Sequence, residues 1–519
     1  MVVPHACHYE AVLGPSDGTS RTGTYGLTRP LSKSFVKAST AIVNAESRLP
    51  GPSFMNCGAP PHRLPHISSD SRRVPGEPPL RFGAEPRTAS TRAPCWGILY
   101  RVTDTTTTAA ELDAILASIF VSPEGKADPY PAYATVREAT ELHRSALGVG
   151  VLTRYDDCHH VLRDNRFGRG DQKMDPALLG LTEEEFNTRF PRFVDRAESM
   201  LGLDPPDHTR LRGLVAKAFT PRTIEALRPH IQRLTDDLLD PLQGDVDVMP
   251  ALALKLPITV IGEMLGVPRA DHAGLLPSIK ILIRSLGPTV PNLDDFSEMY
   301  AAAGVIDDYF KGLVAHKRAN PADDMLSELI HVEEAGDTLS EAELLATIML
   351  LFVAGYETTT NLIGNGLRAF LLNPEQLQRL RDDRSLLKSA IEEILRFDSP
   401  VQLTVRAVLE EGVVAAGHQL AKGEQLITLL GAANRDPRTY DDPDIFDIGR
   451  PGPPSLSFSA GIHYCLGAAL ARAEGQIVFD SIVERYSTIE PAWSDDSPPR
   501  YRDSVVLRGL ESLPVRLLS

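Results

Sequence analysis

The segment Phe458-Ser-Ala-Gly-Ile-His-Tyr-Cys465-Leu-Gly467, running on as Ala468-Ala-Leu-Ala-Arg472, frames the reading of the whole chain. Gly461 and Gly467 bracket Cys465, and glycine is the residue that reaches positive φ or lets a flat ligand approach the backbone. The apolar-rich run from Leu466 to about Tyr486 predicts a helix with Cys465 at its N-terminus. Unpaired N–H groups and the positive end of the helix dipole favour a thiolate there. Phe458 supplies an apolar wall, and His463 a donor or cationic group two residues before the sulfur. Most free cysteines are small buried hydrophobes. The long frame Phe-x-x-Gly-x-x-x-Cys-x-Gly sets this one apart.

The 519 residues carry a formal net charge of −16, with 42% hydrophobic and 24% charged residues. Those fractions suit a globular protein, and the acidity argues against nucleic-acid binding by the chain as a whole. Cys7, Cys57, Cys95, Cys158 and Cys465 show no disulfide spacing, which fits a reducing compartment. No stretch approaches ~18 uninterrupted apolar residues, and Met1 to Gly14 lacks both a basic start and a sustained apolar segment. A cytoplasmic chain without a membrane-spanning helix is expected. Residues 1–110 hold 13 of the 41 prolines and carry a net +5, leaving −21 on residues 111–519. Breaks such as Gly76-Glu-Pro-Pro-Leu recur there without an apolar period, so too little can be buried to offset the ordering entropy. Residues 1–108 read as a disordered extension and 109–519 as a single, mostly helical domain.

Four further stretches carry chemistry. In Leu203-Asp-Pro-Pro-Asp-His208-Thr-Arg-Leu-Arg212 the prolines and Asp207 start a helix, which puts His208 and Arg212 one turn apart on one face. That pair is either a solvated basic face or a clamp for an anion. The longest helix opens on a Ser340-x-x-Glu343 capping box and ends at Asn373-Pro374, about 32 residues or roughly 48 Å later. In its middle Ala354-Gly-Tyr-Glu-Thr-Thr-Thr360 weakens the helix where it should be strongest, and the Thr358 hydroxyl can bond back to the Ala354 carbonyl and bend the helix open. Glu357 is costly there unless solvated or paired. Glu393-Ile-Leu-Arg396 is a Glu-x-x-Arg pair on a helix, worth little alone. Cys158-His159-His160 resembles a metal site only in composition. Adjacent helical residues point about 100° apart and do not converge on one ion.

Taken in order, these motifs resemble those of the cytochromes P-450, the haem–thiolate monooxygenases, in their soluble bacterial form, over about 410 residues. The resemblance implies a mainly α fold with a small β region. It implies haem b held by Cys465 as axial thiolate within the Phe458, Gly461, His463, Gly467 frame, with His208, Arg212 and Arg406 on the propionates. Ala354 and Gly355 would flank the haem, and Glu357 with Thr358 would activate dioxygen, although Tyr356 stands where many relatives have histidine. The arginine of Phe446-Asp-Ile-Gly-Arg450 would complete an ion-pair network with Glu393 and Arg396, and Pro400 to Arg406 would be a strand. Val401 to Thr404 would face substrate, and the interval Phe167 to Met200 would be a loop over it. Asp128-Pro-Tyr-Pro-Ala-Tyr-Ala resembles the family's entry into its first helix. The implied reaction is insertion of one atom of O2 into an organic small molecule, with electrons from NAD(P)H through a separate ferredoxin and reductase. Arg472 would contact that partner. Asn361 to Asn365 resembles members acting on polyketide or macrolide-like molecules. The rival readings are a peroxide-driven peroxygenase, against which the Glu357-Thr358 pair counts, and a haem-binding protein without catalysis.

Overall fold

The computed structural model describes residues 107–519 apart from 147, 171–174, 195–196, 285–291, 335–336 and 495. The reading of residues 1–108 therefore falls, but for the last two, outside the described residues. Helix α1 (Ala109–Val121) opens on a Thr108–Glu111 capping box, so the first element begins where the proline-rich composition ends. It precedes α2 (Tyr130–Ala139), the helix that the Asp128 segment enters.

The architecture is mainly α, as expected. In chain order there follow β1 (Leu142–Arg144), β2 (Val149–Leu152), α3 (Tyr155–Arg163), β3 (Phe167–Gly168), α4 (Asp207–Ala216), α5 (Pro221–Leu239) and β4 (Gly244–Asp247). Then come α6 (Lys255–Met264), α7 (Arg269–Arg284), α8 (Leu293–Ala319), α9 (Glu341–Leu372), α10 (Leu387–Phe397), β5 (Leu403–Val408) and β6 (Gln425–Leu429). The chain closes with α11 (Ala468–Arg485), β7 (Thr488–Pro491) and β8 (Pro514–Leu518). One sheet has the order β1-β2-β6-β5-β3, antiparallel except where β6 pairs with β2; a second is β7-β8-β4.

Helix α9 organises the core. Its capping box is formed in both directions, Ser340 N–H to Glu343 at 2.8 Å and Glu343 N–H to the Ser340 hydroxyl at 3.3 Å. It runs unbroken for 32 residues and stops at Asn373 before Pro374, as the sequence dictates. From Thr359 to Leu367 every residue is buried, the signature of a helix surrounded on all sides. Gly366 makes the packing possible: a Cβ there would meet Phe479 at 2.6 Å and Ile394 at 2.8 Å, so α10 and α11 lie directly against α9. By length and composition α9 could cross a membrane, yet it is this protein's central core helix.

Two intervals differ from the sequence reading. Residues 176–194 are not irregular: Glu183–Arg189 is a helix with its own Thr182–Glu185 capping box. Phe186 and Phe190 from this interval pack on Phe296 of α8, with ring centroids 5.6 and 4.9 Å apart. Helix α11 begins at Ala468 rather than Leu466, with Gly467 as its N-cap, so Cys465 lies just outside the helix on a loop.

Candidate functional site

The cysteine loop is fixed by its backbone. The Cys465 N–H donates to the Phe458 carbonyl at 2.9 Å, folding the segment back on itself. Gly461 sits at φ +69°, and a Cβ there would strike the Leu162 carbonyl at the end of α3. Only glycine lets the loop press on that helix. Cys465 is exposed at the site, yet the protein packed around it pushes its thiol up. A hydrogen bond from the Gly467 N–H and the charges of Arg212 and Arg472 pull the other way. The helix start thus contributes through one N-cap amide, not through a full helix mouth.

A cluster of histidine and arginine nitrogens stands beside this loop. Helix α4 carries His208, 2% exposed, whose ring centroid lies 4.4 Å from that of His463. Strand β5 carries Arg406, 1% exposed, which donates to the Val405 carbonyl at 2.9 Å and the Thr404 hydroxyl at 3.1 Å. Burial, then Arg169, Arg406, His208 and Arg212, push His463 down to about 2. Burial and Arg169 push Arg406 down to about 9, with Asp204 opposing. Both ring nitrogens of His208, Nε2 of His463 and Nη2 of Arg406 are buried without a hydrogen-bond partner. Buried donors left unpaired beside like charges are costly, and they define a place for an anion. Arg212, one turn after His208, instead donates to the Tyr464 carbonyl at 2.6 Å and so braces the cysteine loop. His208, Arg212, Gly461 and Ile462 share the lining of a cavity of about 420 Å³.

Helix α9 brings the second group. The Thr358 hydroxyl donates to the Ala354 carbonyl at 2.9 Å, as the sequence predicted, without interrupting the helix. Ala354 is exposed, while Gly355 and Thr358 are half-buried, in a helix otherwise closed on all sides over its next turns. Glu357 is buried and paired with Arg502 from the C-terminal segment. Beneath the loop, Arg396 donates to both Glu393 oxygens at 2.7 Å and to the Asn434 and Pro443 carbonyls, and Arg450 Nε reaches Glu393 at 3.2 Å. The ion-pair network read from Glu393, Arg396 and Arg450 is formed, and it is buried.

Other expectations gain detail. Arg472 is held by both Glu392 oxygens, the Tyr464 hydroxyl and the Phe458 ring 4.5 Å away, with its side chain partly exposed. Gln402 is buried and bonded to Tyr133 and Ser399, and Leu403 is buried, so within Val401–Thr404 only the partly exposed Val401 and Thr404 remain to face a substrate. Cys158 is buried, its thiol 3.5 Å from the Leu152 carbonyl. Sequence reading missed three residues: Asp204, which accepts from the Arg169 and Gly170 N–H groups; Arg169 itself; and Arg502.

Comparison with known proteins gives the class. The Cytochrome P450 family model matches residues 290–512. The chain is 43% identical over 399 residues to cytochrome P450 107B1 of Saccharopolyspora erythraea, covering 75% of this chain and 95% of that protein. It is 36% identical over 418 residues to the polyketide biosynthesis cytochrome P450 PksS of Bacillus subtilis strain 168, covering 78% and 100%. The solved structure of PksS matches with a TM-score of 0.67 over 76% of this chain and 98% of that one. The cytochrome P450 monooxygenase PikC of Streptomyces venezuelae is 37% identical over 401 residues, covering 75% and 91%. This chain belongs to the cytochrome P450 family and, with its relatives, is an oxidoreductase of the haem–thiolate monooxygenase class. The residues present fit that cofactor: a loop cysteine stands beside buried, unpartnered histidine and arginine nitrogens of the kind that two carboxylate groups at a haem edge would satisfy.

Proposed function

We propose that the protein inserts one atom of O2 into a polyketide- or macrolide-like small molecule, the second atom leaving as water. In balance, RH, O2, NAD(P)H and a proton give ROH, water and NAD(P)+. The observation that carries this reading is the convergence of His208, His463 and Arg406, with unpartnered buried nitrogens, beside the Cys465 loop. When bound, haem b supplies the redox chemistry that activates dioxygen. Cys465 Sγ would ligate its iron, His208, His463 and Arg406 would hold its carboxylates, and Arg212 orients the loop through Tyr464. Gly461 and Gly467 keep that loop thin, Phe458 would wall the sulfur, and Ala354 with Gly355 leave α9 without bulk where the haem would lie against it. Glu357 donates a proton and the Thr358 hydroxyl hands it on toward the reacting oxygen, a role worth about 10²–10⁴-fold where it controls the rate. Electrons come from NAD(P)H through a separate ferredoxin and reductase, in the cytoplasm. The name of PksS, a polyketide biosynthesis enzyme at 36% identity, supports the substrate class.

A surrogate ferredoxin system under air, with polyketide lactones screened first for spectral displacement of the iron's sixth ligand, tests the reading. NADPH consumption with oxygenated product is expected. Turnover with hydrogen peroxide alone, or no turnover with any bound compound, would overturn it.

A further inference from the structure

We infer that Arg502 is a positioning residue for the reaction, a latch that holds the Glu357 carboxylate in place from the solvent side. The inference rests on the reading of Glu357 as proton donor. Glu357 lies in the middle of α9, 2% exposed, and a lone carboxylate there would be strongly disfavoured. Its Oε1 accepts from Arg502 Nη1, while its Oε2 is buried and without a partner. Arg502 is itself fixed at two points: its N–H donates to the Gly509 carbonyl at 2.8 Å and its Nε to the Leu510 carbonyl at 3.1 Å. Its side chain is 24% exposed. The guanidinium therefore bridges water and a buried acid, anchored by the backbone of its own segment.

The same segment walls the next turn of α9. Asn361 follows Glu357 by four residues, so the two share a helix face, and helical side chains lean toward the N-terminus. Asn361 is fully buried with neither amide atom partnered, and any Cβ at Gly509 would strike that amide. On this face neither Glu357 Oε2 nor the Asn361 amide has a hydrogen-bond partner, while Oε1 is held by Arg502. Releasing Arg502 frees the carboxyl to swing, because nothing among the described residues holds its other oxygen. Arg502 fixes where the acid points, and through it when a proton reaches Thr358.

Carbon monoxide on the reduced, haem-loaded protein is the probe, read by its infrared stretching band. The parent and Arg502→Lys should each give one band. Arg502→Gln should add a second band from the freed carboxyl, and Arg502→Gln/Glu357→Gln should lose it again. The melting temperatures of these variants should be non-additive, as for directly paired groups. An unchanged band in haem-loaded Arg502→Gln would overturn the inference, as would a second band that persists in the double variant. The solvent deuterium isotope effect on NADPH consumption by Glu357→Gln separates the two levels. No change in that effect, beside a split band in Arg502→Gln, would keep the latch and remove the donor reading. A changed effect beside an unsplit band would remove the latch alone.

Discussion

Glu474 lies on α11, 1% exposed, with one carboxylate oxygen that has no partner. Burial alone pushes its pKa from 4.5 up to about 8. The folded protein therefore holds a proton that the unfolded chain releases above about pH 4.5, and stability falls as pH rises toward 8. The gap from 4.5 to about 8, at about 1.36 kcal/mol per pH unit, amounts to about 5 kcal/mol. With about 2.1 cal/mol/K per residue over roughly 410 residues, that loss lowers the melting temperature by roughly 5–6 °C. Glu474→Gln keeps the shape and removes the titration. Far-UV circular dichroism melts of parent and variant, both haem-loaded, should show the variant gaining on the parent by about that amount between about pH 5 and pH 8. Any constant offset reflects the buried amide and is irrelevant to the slope. A difference that stays flat across this range would refute the reasoning, because a carboxyl that ionises freely in place is not where the structure puts it.

Three further outcomes follow from the same structure. Glu393→Ala leaves Arg396, 3% exposed, and Arg450 without their shared carboxylate, so it should cost about 3–5 kcal/mol, seen as early melting and loss of bound haem; an unshifted melt would contradict it. Thr358→Ala should keep consuming NADPH while diverting much of it to peroxide, whereas Glu357→Gln should slow the whole cycle; full coupling in Thr358→Ala would point to another donor. Deleting residues 1–106 spares the Thr108 cap of α1 and should leave melting temperature and haem content within error, and a large loss of either would show that this segment packs on the domain.

Elements with punctuation at both ends were legible from sequence. Helix α9 is bounded by a capping box and an Asn-Pro step, and both bounds held. The Glu393–Arg396 pair was legible because spacing on one helix brings the two together, whereas Arg450 was legible only through the family resemblance. The start of α11 was misplaced because Leu466 continues the apolar pattern, while the backbone of Gly467, at φ −83° and ψ 8°, has not yet turned helical. Residues 176–194 hide their order because Pro191 interrupts a short aromatic repeat whose partner, Phe296, lies a hundred residues on. Arg502 left no sequence signal at all. It belongs to a segment without period, and only the fold brings it to Glu357, 145 positions away in the chain. Arg472 stands in a motif that invites a functional role, and only the fold shows that it pairs with Glu392.

The central claim is that Cys465 supplies a thiolate to haem iron, and the absorption of the reduced carbon monoxide complex tests it most directly. The parent should absorb at the red-shifted position for which the family is named, and Cys465→His should lose that band while retaining the fold by circular dichroism. A Cys465→His variant that kept the red-shifted band would contradict the account.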